Sequence, residues 1–283
     1  MPDTESKFSK KRAPIGVFDS GYGGLTILKG IRSLLPEYDY LYLGDNARAP
    51  YGTRSFDVVY RYTLDAVRYM FDQGCPLVIL GCNTASAKAL RTIQQQDLPE
   101  MDDSRLRVLG VIRPTVECLG QLSQNSHIGI LATQGTVSSH SYEIETAKLF
   151  PDFTVSTHAC PMWVPLVEYG EADSDGADFF VRREIETIFN HDPEIDTLVL
   201  ACTHYPLLID KIRKYTPAHV RIVTQGEIVA RSLKDYLDRH SGMRDSISTG
   251  GTVKFLTTES AERFSPMAAM FMGHDVSARR AEY

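Results

Sequence analysis

The chain contains two near-copies of one short segment, in which an apolar, strand-like run ends at a cysteine and a helix-like run begins. Cys82 occupies this point in Leu77-Val-Ile-Leu-Gly-Cys-Asn-Thr84, and Cys202 occupies it 120 residues later in Leu198-Val-Leu-Ala-Cys-Thr-His204. Three further pairs recur in chain order at offsets that grow from 113 to 118: Ile15-Gly16 with Ile128-Gly129, Pro36 with Pro151, and Tyr51-Gly52 with Tyr169-Gly170. A duplicated core with small insertions produces such offsets. The chain is therefore predicted to fold as two similar halves.

Short β-branched runs alternate with amphipathic, helix-like stretches along the chain. Strands that alternate with helices of about ten or more residues indicate βαβ units and a mostly parallel sheet. The predicted fold class is therefore α/β, with two similar domains and mostly parallel sheets. The runs predicted as strands are Ile15–Asp19, Tyr40–Leu43, Pro76–Leu80, Arg107–Ile112, Ile128–Ala132, Thr154–Thr157, Thr197–Leu200, Arg221–Val223 and Val253–Thr257.

A chain of 283 residues is long enough for two domains, because single hydrophobic cores stop growing at roughly 250–300 residues. The internal repeat assigns residues 106–218 to the second domain. Residues 219–283 contain a strand and a closing helix, Glu259–Met272, but no third copy of the repeat. They are therefore expected to return and complete the first domain together with residues 14–105. Residues 1–13 are expected to form a flexible tail.

The composition is that of an ordinary soluble globular protein, with 43% hydrophobic and 23% charged residues. A net charge of -6 argues against a nucleic-acid partner, which favours a basic surface. The basic stretch 7–12 lies in a polar leader that lacks the apolar core of a signal peptide, so we interpret it as solvated. No apolar run reaches the roughly 18 residues that a membrane span needs. Five cysteines without paired spacing indicate reduced thiols in the cytoplasm.

Both repeated cysteines are predicted at the carboxyl end of a parallel strand, where ligands bind in such sheets. A helix begins at the same point, and its free N–H groups and partial positive charge favour a thiolate over a thiol. Asn83, Thr84 and Thr203 add hydrogen-bond donors beside the two thiols. One such cysteine alone is more often a small buried hydrophobe. Two at matching points can face one cleft from opposite sides, and inversion of a carbon stereocentre by proton transfer is the leading chemistry that needs this arrangement.

Three titratable groups are candidates for managing the protons of the thiols. His204 follows the second cysteine by two residues and is a candidate acid or base, with helix capping as the alternative. Asp19 ends the first predicted strand, before a glycine-rich turn, and could either act on Cys82 or cap the following helix. Glu168 stands at a strand-to-loop position and could instead be a simple surface charge.

Two close pairs of potential metal ligands, His158 with Cys160 and Cys202 with His204, supply the residue types of a zinc site. Zinc sites usually separate close ligands by about two to four residues, so a one-residue gap suits adjacent ligands poorly. We therefore expect no metal site. The glycines of residues 21–24 do not follow the dinucleotide-binding spacing, and neither a phosphate loop nor a pyridoxal lysine is recognisable. No cofactor is expected.

Seven segments, in family order, resemble the glutamate racemases of the aspartate/glutamate racemase superfamily. The paired cysteine motifs are specific to the superfamily, and Pro50-Tyr-Gly52 together with Cys202-Thr-His-Tyr-Pro-Leu-Leu208 is similar to its glutamate branch. The resemblance covers nearly the whole chain. The segments are Phe18–Leu25, Tyr42–Gly52, Gly81–Ser86, Gly110–Ile112 with Pro114, Leu131–Val137, Val164–Glu168 and Ala201–Leu208.

The resemblance implies a cofactor-independent racemase that interconverts L- and D-glutamate and so supplies D-glutamate for bacterial peptidoglycan. It also implies two α/β domains around a pseudo-twofold cleft, commonly in a homodimer. On the family pattern Cys82 and Cys202 are the acid/base residues, and Asp19, His204 and Glu168 assist them. The substrate contacts that it implies are Asp19, Ser20, Tyr51, Gly52, Asn83, Thr84, Thr133, Thr136, Thr203 and His204.

The chain departs from the family pattern at Arg113-Pro114-Thr115, where many members have a glycine after the proline. This departure bears on the shape of a loop that lies near the cleft in the family. Three other functions compete with glutamate racemisation. They are racemisation of aspartate or a related amino acid, amino-acid binding by a non-catalytic two-lobed protein, and thiol hydrolysis by Cys202 with His204, which leaves Cys82 idle.

Overall fold

The computed structural model of the protein describes residues 12–283, and no helix in this part of the chain is long and apolar enough to cross a membrane. The strands are β1 (Ile15–Asp19), β2 (Tyr40–Gly44), β3 (Leu77–Leu80), β4 (Arg107–Gly110), β5 (His127–Ala132), β6 (Thr154–Ala159), β7 (Thr197–Ala201), β8 (Arg221–Val223), β9 (Val253–Thr257) and β10 (Ala278–Arg280).

The α-helices lie between these strands and beside them. They are α1 (Gly24–Leu34), α2 (Phe56–Asp72), α3 (Asn83–Lys88), α4 (Leu90–Thr92), α5 (Ile112–Leu122), α6 (Gln134–Val137), α7 (Ser141–Leu149), α8 (Trp163–Glu168), α9 (Asp175–His191), α10 (Ile209–Tyr215), α11 (Gly226–Arg239), α12 (Ser241–Ser246) and α13 (Ala261–Met272). Short 3₁₀ segments occur at Asn46–Arg48, Leu98–Glu100 and Tyr205–Leu208, and a π-helical turn at Ile93–Asp97.

The strands form two sheets in which every pairing is parallel. The first has six strands in the order β10-β9-β2-β1-β3-β4, and the second has four in the order β6-β5-β7-β8. The inner strands β1, β3 and β7 are buried along their whole length, as apolar strands covered by helices on both faces must be. The predicted α/β class with parallel sheets is confirmed, and each of the nine predicted strands overlaps an observed one.

The two sheets repeat one strand order. In the first sheet the order β2-β1-β3-β4 corresponds to β6-β5-β7-β8 in the second. The strands β3 and β7, which precede the two repeated cysteines, therefore occupy equivalent places beside the central strands β1 and β5. This equivalence is what the paired offsets in the sequence predict.

Two strands pair differently from the expected domain boundaries. β4 pairs with β3 in the first sheet, although residues from 106 onward were expected in the second domain. β8 pairs with β7 in the second sheet, although residues from 219 onward were expected in the first domain. An apolar pattern marks a strand without identifying its neighbour, because strand pairing is non-local. We propose that the first domain, called the first unit below, extends through β4, and that the second domain, called the second unit below, includes β8.

The end of the chain adds two strands to the first sheet. β9 pairs with β2, and β10 then pairs with β9 at the edge. The sequence did not predict β10, because its Ala-Arg-Arg run lacks the apolar alternation of a buried strand. A short strand with charged side chains is typical of a protected sheet edge.

The expected flexible tail, residues 1–13, lies outside the described residues except for Arg12 and Ala13. Ala13 pairs with Ile247 in an isolated parallel bridge. Its N–H donates to the Ser246 carbonyl at 3.0 Å, and its own carbonyl accepts from the Ser248 N–H at 2.9 Å. Ala13 is therefore part of the folded structure rather than of a tail.

Helices α1 and α11 cross at two glycines. A Cβ atom on Gly30 would lie 2.5 Å from the carbonyl carbon and oxygen of Gly226, so no larger residue fits there without moving the backbone. The close crossing fixes the start of α11, and with it the residue before that helix, Gln225.

Candidate active site

Both repeated cysteines line one cavity of about 620 Å³, which lies beyond the carboxyl ends of the strands of both sheets. This is where parallel sheets place their ligand sites. Two of the predicted site residues, Asp19 and Thr136, do not line the cavity and lie buried behind its wall. The predicted residues that do line it are Ser20, Tyr51, Gly52, Cys82, Asn83, Thr84, Thr133, Glu168, Cys202, Thr203 and His204.

Cys82 lies at the start of α3 and is 6% exposed. Its Sγ accepts the Ala85 N–H at 3.5 Å and lies 3.4 Å from the Ser20 Oγ. Burial and the nearby charge of Asp19 raise the pKa of Cys82 to about 12, and the contacts with Ser20 and Ala85 offset only part of this. The Ala85 N–H at the helix start lowers the pKa of Cys82, as expected, but the loss of hydration and the charge of Asp19 outweigh it, so the net pKa is high.

Cys202 has a histidine partner that Cys82 lacks. Its Sγ lies 4.0 Å from Nδ1 of His204, and Nε2 of that ring lies 2.9 Å from Oε1 of Glu168. Burial opposes the imidazolium, but the contacts with Cys202 and Glu168 outweigh it and raise the pKa of His204 to about 10. The ring makes no capping hydrogen bond, so the alternative of a helix-capping histidine is not supported. Glu168 ends the helix α8 rather than a strand, and it is partly buried against the ring rather than a simple surface charge.

The raised pKa of His204 predicts a pH dependence of stability. The folded-state pKa of about 10 exceeds the ordinary value of 6.5, so the stabilising contribution is complete below pH 6.5 and is lost as the pH rises toward 10. At pH 6.5 we expect the parent protein to have a larger free energy of unfolding than His204→Gln. As the pH rises toward 10, this difference should fall by up to about 1.4 kcal/mol per pH unit. Urea denaturation at several pH values measures it.

His274→Gln, at an exposed position, is the matched control for loss of a histidine. A difference between the parent and His204→Gln that stays constant from pH 6.5 to 10 would contradict a protonated His204 in the folded protein.

Asp19 lies at the end of β1, behind the cavity wall, and is 1% exposed. Its Oδ1 accepts the Gly21 N–H at 2.8 Å, whereas its Oδ2 has no hydrogen-bond partner among the described residues. Burial raises the pKa of Asp19, and the charge of His204 and the amides of Gly21 and Gly24 only partly offset this. Asp19 is thus electrostatically coupled to both sides of the cavity.

The turn after β1 and the turn after β7 touch directly. A Cβ atom on Gly23 would lie 2.1 Å from Oγ1 of Thr203 and 2.5 Å from Nδ1 of His204. Thr26 also donates its hydroxyl to the Thr203 carbonyl at 3.1 Å. The absence of a side chain at Gly23 therefore allows the first unit to approach the turn after β7, which carries Cys202 and is called the Cys202 loop below.

Three threonines join the two units on the other side of the cavity. Thr84 lies 2.9 Å from Thr133 and 3.4 Å from Thr136, measured between Oγ1 atoms, and the last two lie 3.2 Å apart. Gly52 closes the same contact, because its carbonyl accepts the Gly135 N–H at 2.8 Å. Tyr51 lines the cavity, but its hydroxyl donates to the buried Asp45 and is not free for a ligand.

Several cavity residues were not predicted from the sequence. Cys160 follows β6, a strand end that could have been a signal, but no second motif copy pointed to it. Others come from the turn after β1, the segment after β2 and the returning α13, which no local pattern connects to the cysteines. The additional lining residues include Tyr22, Asn46, Cys160, Glu259, Arg263 and Met267.

The residues of the zinc alternative do not converge in the described part of the chain, where no group of three or more His, Cys, Asp or Glu side chains is placed to hold a metal ion. His158 instead places its Nε2 atom 2.6 Å from Oε2 of Glu184.

Comparison with known proteins identifies the class to which this fold and cavity belong. Residues 24–233 match the family described as Asp/Glu/Hydantoin racemase. The chain therefore belongs to the Asp/Glu/hydantoin racemase family, and the protein is an isomerase.

Its full-length relatives specify the branch of that family. The chain is 41% identical over 268 residues to the glutamate racemase of Roseobacter denitrificans, with 91% of this chain and 96% of the relative covered. Among solved structures, it is similar to glutamate racemase isoform RacE1 from Bacillus anthracis (32% identity, TM-score 0.86, 96% and 98% covered). It is also similar to the Francisella tularensis glutamate racemase in complex with D-glutamate (29% identity, TM-score 0.84, 96% and 97% covered). The Picrophilus torridus aspartate racemase, at 18% identity and a TM-score of 0.50 with 83% and 99% covered, shares only the fold.

Proposed function

We propose that the protein is a glutamate racemase that inverts the α-carbon by a two-cysteine proton transfer without a cofactor. The observation that carries the proposal is the placement of Cys82 and Cys202 at equivalent strand ends on one cavity. The full-length glutamate racemase relatives support glutamate as the substrate. A thiol hydrolase would use Cys202 and His204 and leave Cys82 without a role. It would not explain why both cysteines occupy equivalent places on the cavity.

In this mechanism one sulfur removes the α-proton as a thiolate, and the other returns a proton to the opposite face as a thiol. The raised pKa of Cys82 keeps it protonated at neutral pH, which suits the donor role. Cys202 has His204 beside it, with Nδ1 of the ring 4.0 Å from its Sγ, and we assign Cys202 the acceptor role in this direction. The reverse direction needs the complementary protonation state, so the enzyme alternates between two forms.

The cavity wall supplies hydrogen-bond donors for an amino-acid dicarboxylate. We assign substrate contacts to Ser20, Asn83, Thr84, Thr133 and Thr203, whose side chains are polar and line the cavity. These fixed donors must stabilise the charge that develops on the α-carboxylate when the α-proton leaves, because that proton is far less acidic than a thiol.

The remaining predicted site residues are assigned roles other than a side-chain contact with the substrate. Gly52 allows the backbone to approach, and Tyr51 contributes backbone rather than its hydroxyl. Thr136 supports Thr133 and Thr84 from behind the wall. Glu168 holds His204, and Asp19 couples through its charge to Cys82 on one side and to His204 on the other.

Incubation of L-glutamate with the purified protein in D2O, without added cofactor, tests the proposal. We expect D-glutamate to form with deuterium at its α-carbon, because the returning proton comes from a thiol that exchanges with solvent. Chiral chromatography with mass detection measures both features. Inversion with complete retention of the α-hydrogen would exclude the two-thiol mechanism, and ligand-induced closure without solvent exchange would favour a binding protein.

The same assay with aspartate tests the alternative substrate. We expect turnover of glutamate and little of aspartate, since the full-length relatives are glutamate racemases and the aspartate racemase shares only the fold. The assay is repeated with a chelator, which we expect to leave the rate unchanged.

The biological setting follows from the same resemblance. We assign the protein to the supply of D-glutamate for peptidoglycan in the cytoplasm, as a homodimer. The family relationship supports the first of these assignments. Light scattering of the purified protein tests the dimer directly.

A further inference from the structure

Gln225 connects the second unit to the residue beside Cys82. We propose that Gln225 is a positioning residue that orients the Asn83 side chain toward the bound amino acid, and that Tyr142 and Thr115 hold it in place. The proposal rests on the proposed function, and its three supporting residues, Gln225, Tyr142 and Thr115, lie outside the cavity lining. It gives a role to Thr115, the position at which the chain departs from the family pattern.

The four side chains form a closed, buried cluster in which none is more than 3% exposed. Gln225 Oε1 accepts from Asn83 Nδ2 at 2.6 Å, and Gln225 Nε2 lies 2.9 Å from both the Tyr142 hydroxyl and Thr115 Oγ1. Tyr142 in turn donates its hydroxyl to Asn83 Oδ1 at 2.7 Å. Thr115 donates its own proton to the Val111 carbonyl at 2.7 Å.

These contacts determine which way each amide points. The hydroxyl of Thr115 is used as a donor toward Val111, so its oxygen accepts from Gln225 Nε2. The two Nε2 hydrogens therefore go to Thr115 and Tyr142, and Oε1 is left to accept from Asn83. A primary amide has two N–H donors. One N–H of Asn83 is held by Gln225, and Asn83 itself lines the cavity next to Cys82, which leaves the second N–H to the bound amino acid.

The cluster also fixes where the Asn83 amide lies. Gln225 precedes α11, whose first residue Gly226 packs directly on Gly30 of α1, so its backbone cannot shift freely. Tyr142 and Thr115 belong to α7 and α5 of the second unit. A residue that follows β3 in the first sheet is thus oriented from outside its own unit. A glycine in place of Thr115 would remove one of the two acceptors that orient Gln225.

Gln225→Met tests the proposal, since methionine has a similar length but cannot hydrogen-bond to Asn83. We expect KM for glutamate to rise about tenfold with kcat nearly unchanged, because a hydrogen bond to a charged substrate is lost in the ground state and the transition state alike. The change must be equal in kcat/KM for L- and D-glutamate, since the two enantiomers have equal free energy. In an Asn83→Ala background, Gln225→Met should have no further effect.

Gln94→Met is the matched control. It removes a glutamine whose amide donates to the Val108 carbonyl at 2.8 Å, away from the cavity, and it should leave KM unchanged. Tyr142→Phe is the second test variant and should raise KM similarly. Thermal melting shows which variants are folded. Either Gln225→Met or Tyr142→Phe is sufficient for the test if it is folded.

Two outcomes would overturn the proposal. One is a loss of kcat/KM caused by Gln225→Met that is equal with and without the Asn83 side chain. The other is an unchanged KM in folded Gln225→Met. A readout without turnover separates this result from failure of the proposed function. The side-chain amide hydrogens of Asn83, followed by 15N NMR, should exchange with solvent much faster in Gln225→Met than in the parent. If the parent does not racemise glutamate, the proposed function fails, and this exchange measurement still decides whether Gln225 holds Asn83.

Discussion

We expect Cys82→Ser and Cys202→Ser each to lower racemisation of glutamate by at least about 10³-fold, in the upper part of the range for loss of a general acid or base. Serine preserves the size of the side chain, but an alcohol is a far weaker acid than a thiol and forms almost no alkoxide at neutral pH. Polarimetry with L-glutamate and with D-glutamate measures the loss in both directions. Cys118→Ser is the matched control, because this partly exposed cysteine of α5 lies outside the cavity.

The same two variants identify the face that each sulfur serves. A variant with one remaining thiol can still remove the α-proton of one enantiomer, so in D2O we expect slow exchange of that enantiomer without inversion. The two variants should exchange opposite enantiomers. Near-normal turnover of either variant, or exchange of the same enantiomer by both, would contradict the assignment of one sulfur to each face.

We expect Gly23→Ala to lower kcat/KM by about 10²-fold or more, although it adds one methyl group and removes no functional group. The new Cβ would lie 2.1 Å from Thr203 Oγ1 and 2.5 Å from His204 Nδ1, so the Cys202 loop must shift. A displacement of about 1 Å from the productive geometry can cost that much in rate. Overpacking of this kind also destabilises by about 1–3 kcal/mol, which thermal denaturation measures.

Gly242→Ala is the matched control for this change. Its Cβ would meet no atom within 4 Å, and it lies in the helix α12. A Gly23→Ala variant with parent-like kcat/KM and stability would show that the two turns do not require their close approach.

The parts of the fold that the sequence predicts are those with a local signal. The parallel α/β class, the nine predicted strands and the positions of Cys82 and Cys202 all follow from apolar runs that end at a turn. The neighbours of β4 and β8 could not be predicted, because a strand carries no mark of the sheet that it joins. β10 was missed because its two arginines face solvent at an edge.

The residues of the site likewise divide into those with a local sequence signal and those without one. His204 and Asn83 were found because they adjoin a cysteine in the chain, and Asp19 because it ends the first strand. Gln225 and the cavity-lining residues of α13 reach the site only through tertiary packing. The high pKa of Cys82 was also missed, since a helix start suggests a stabilised thiolate, and only the burial of the sulfur in the folded protein reverses that effect.

The contact between Thr84, Thr133 and Thr136 has a consequence for how an amino acid enters and leaves. If the two units separate to admit a ligand, Thr84 exchanges its contacts with Thr133 and Thr136 for water, whereas those two threonines, both in the second unit, keep their contact with each other. Each such exchange costs only about 0.5–1.5 kcal/mol net. The threonine contact therefore costs little free energy to open and does not by itself hold the two units together around a bound amino acid.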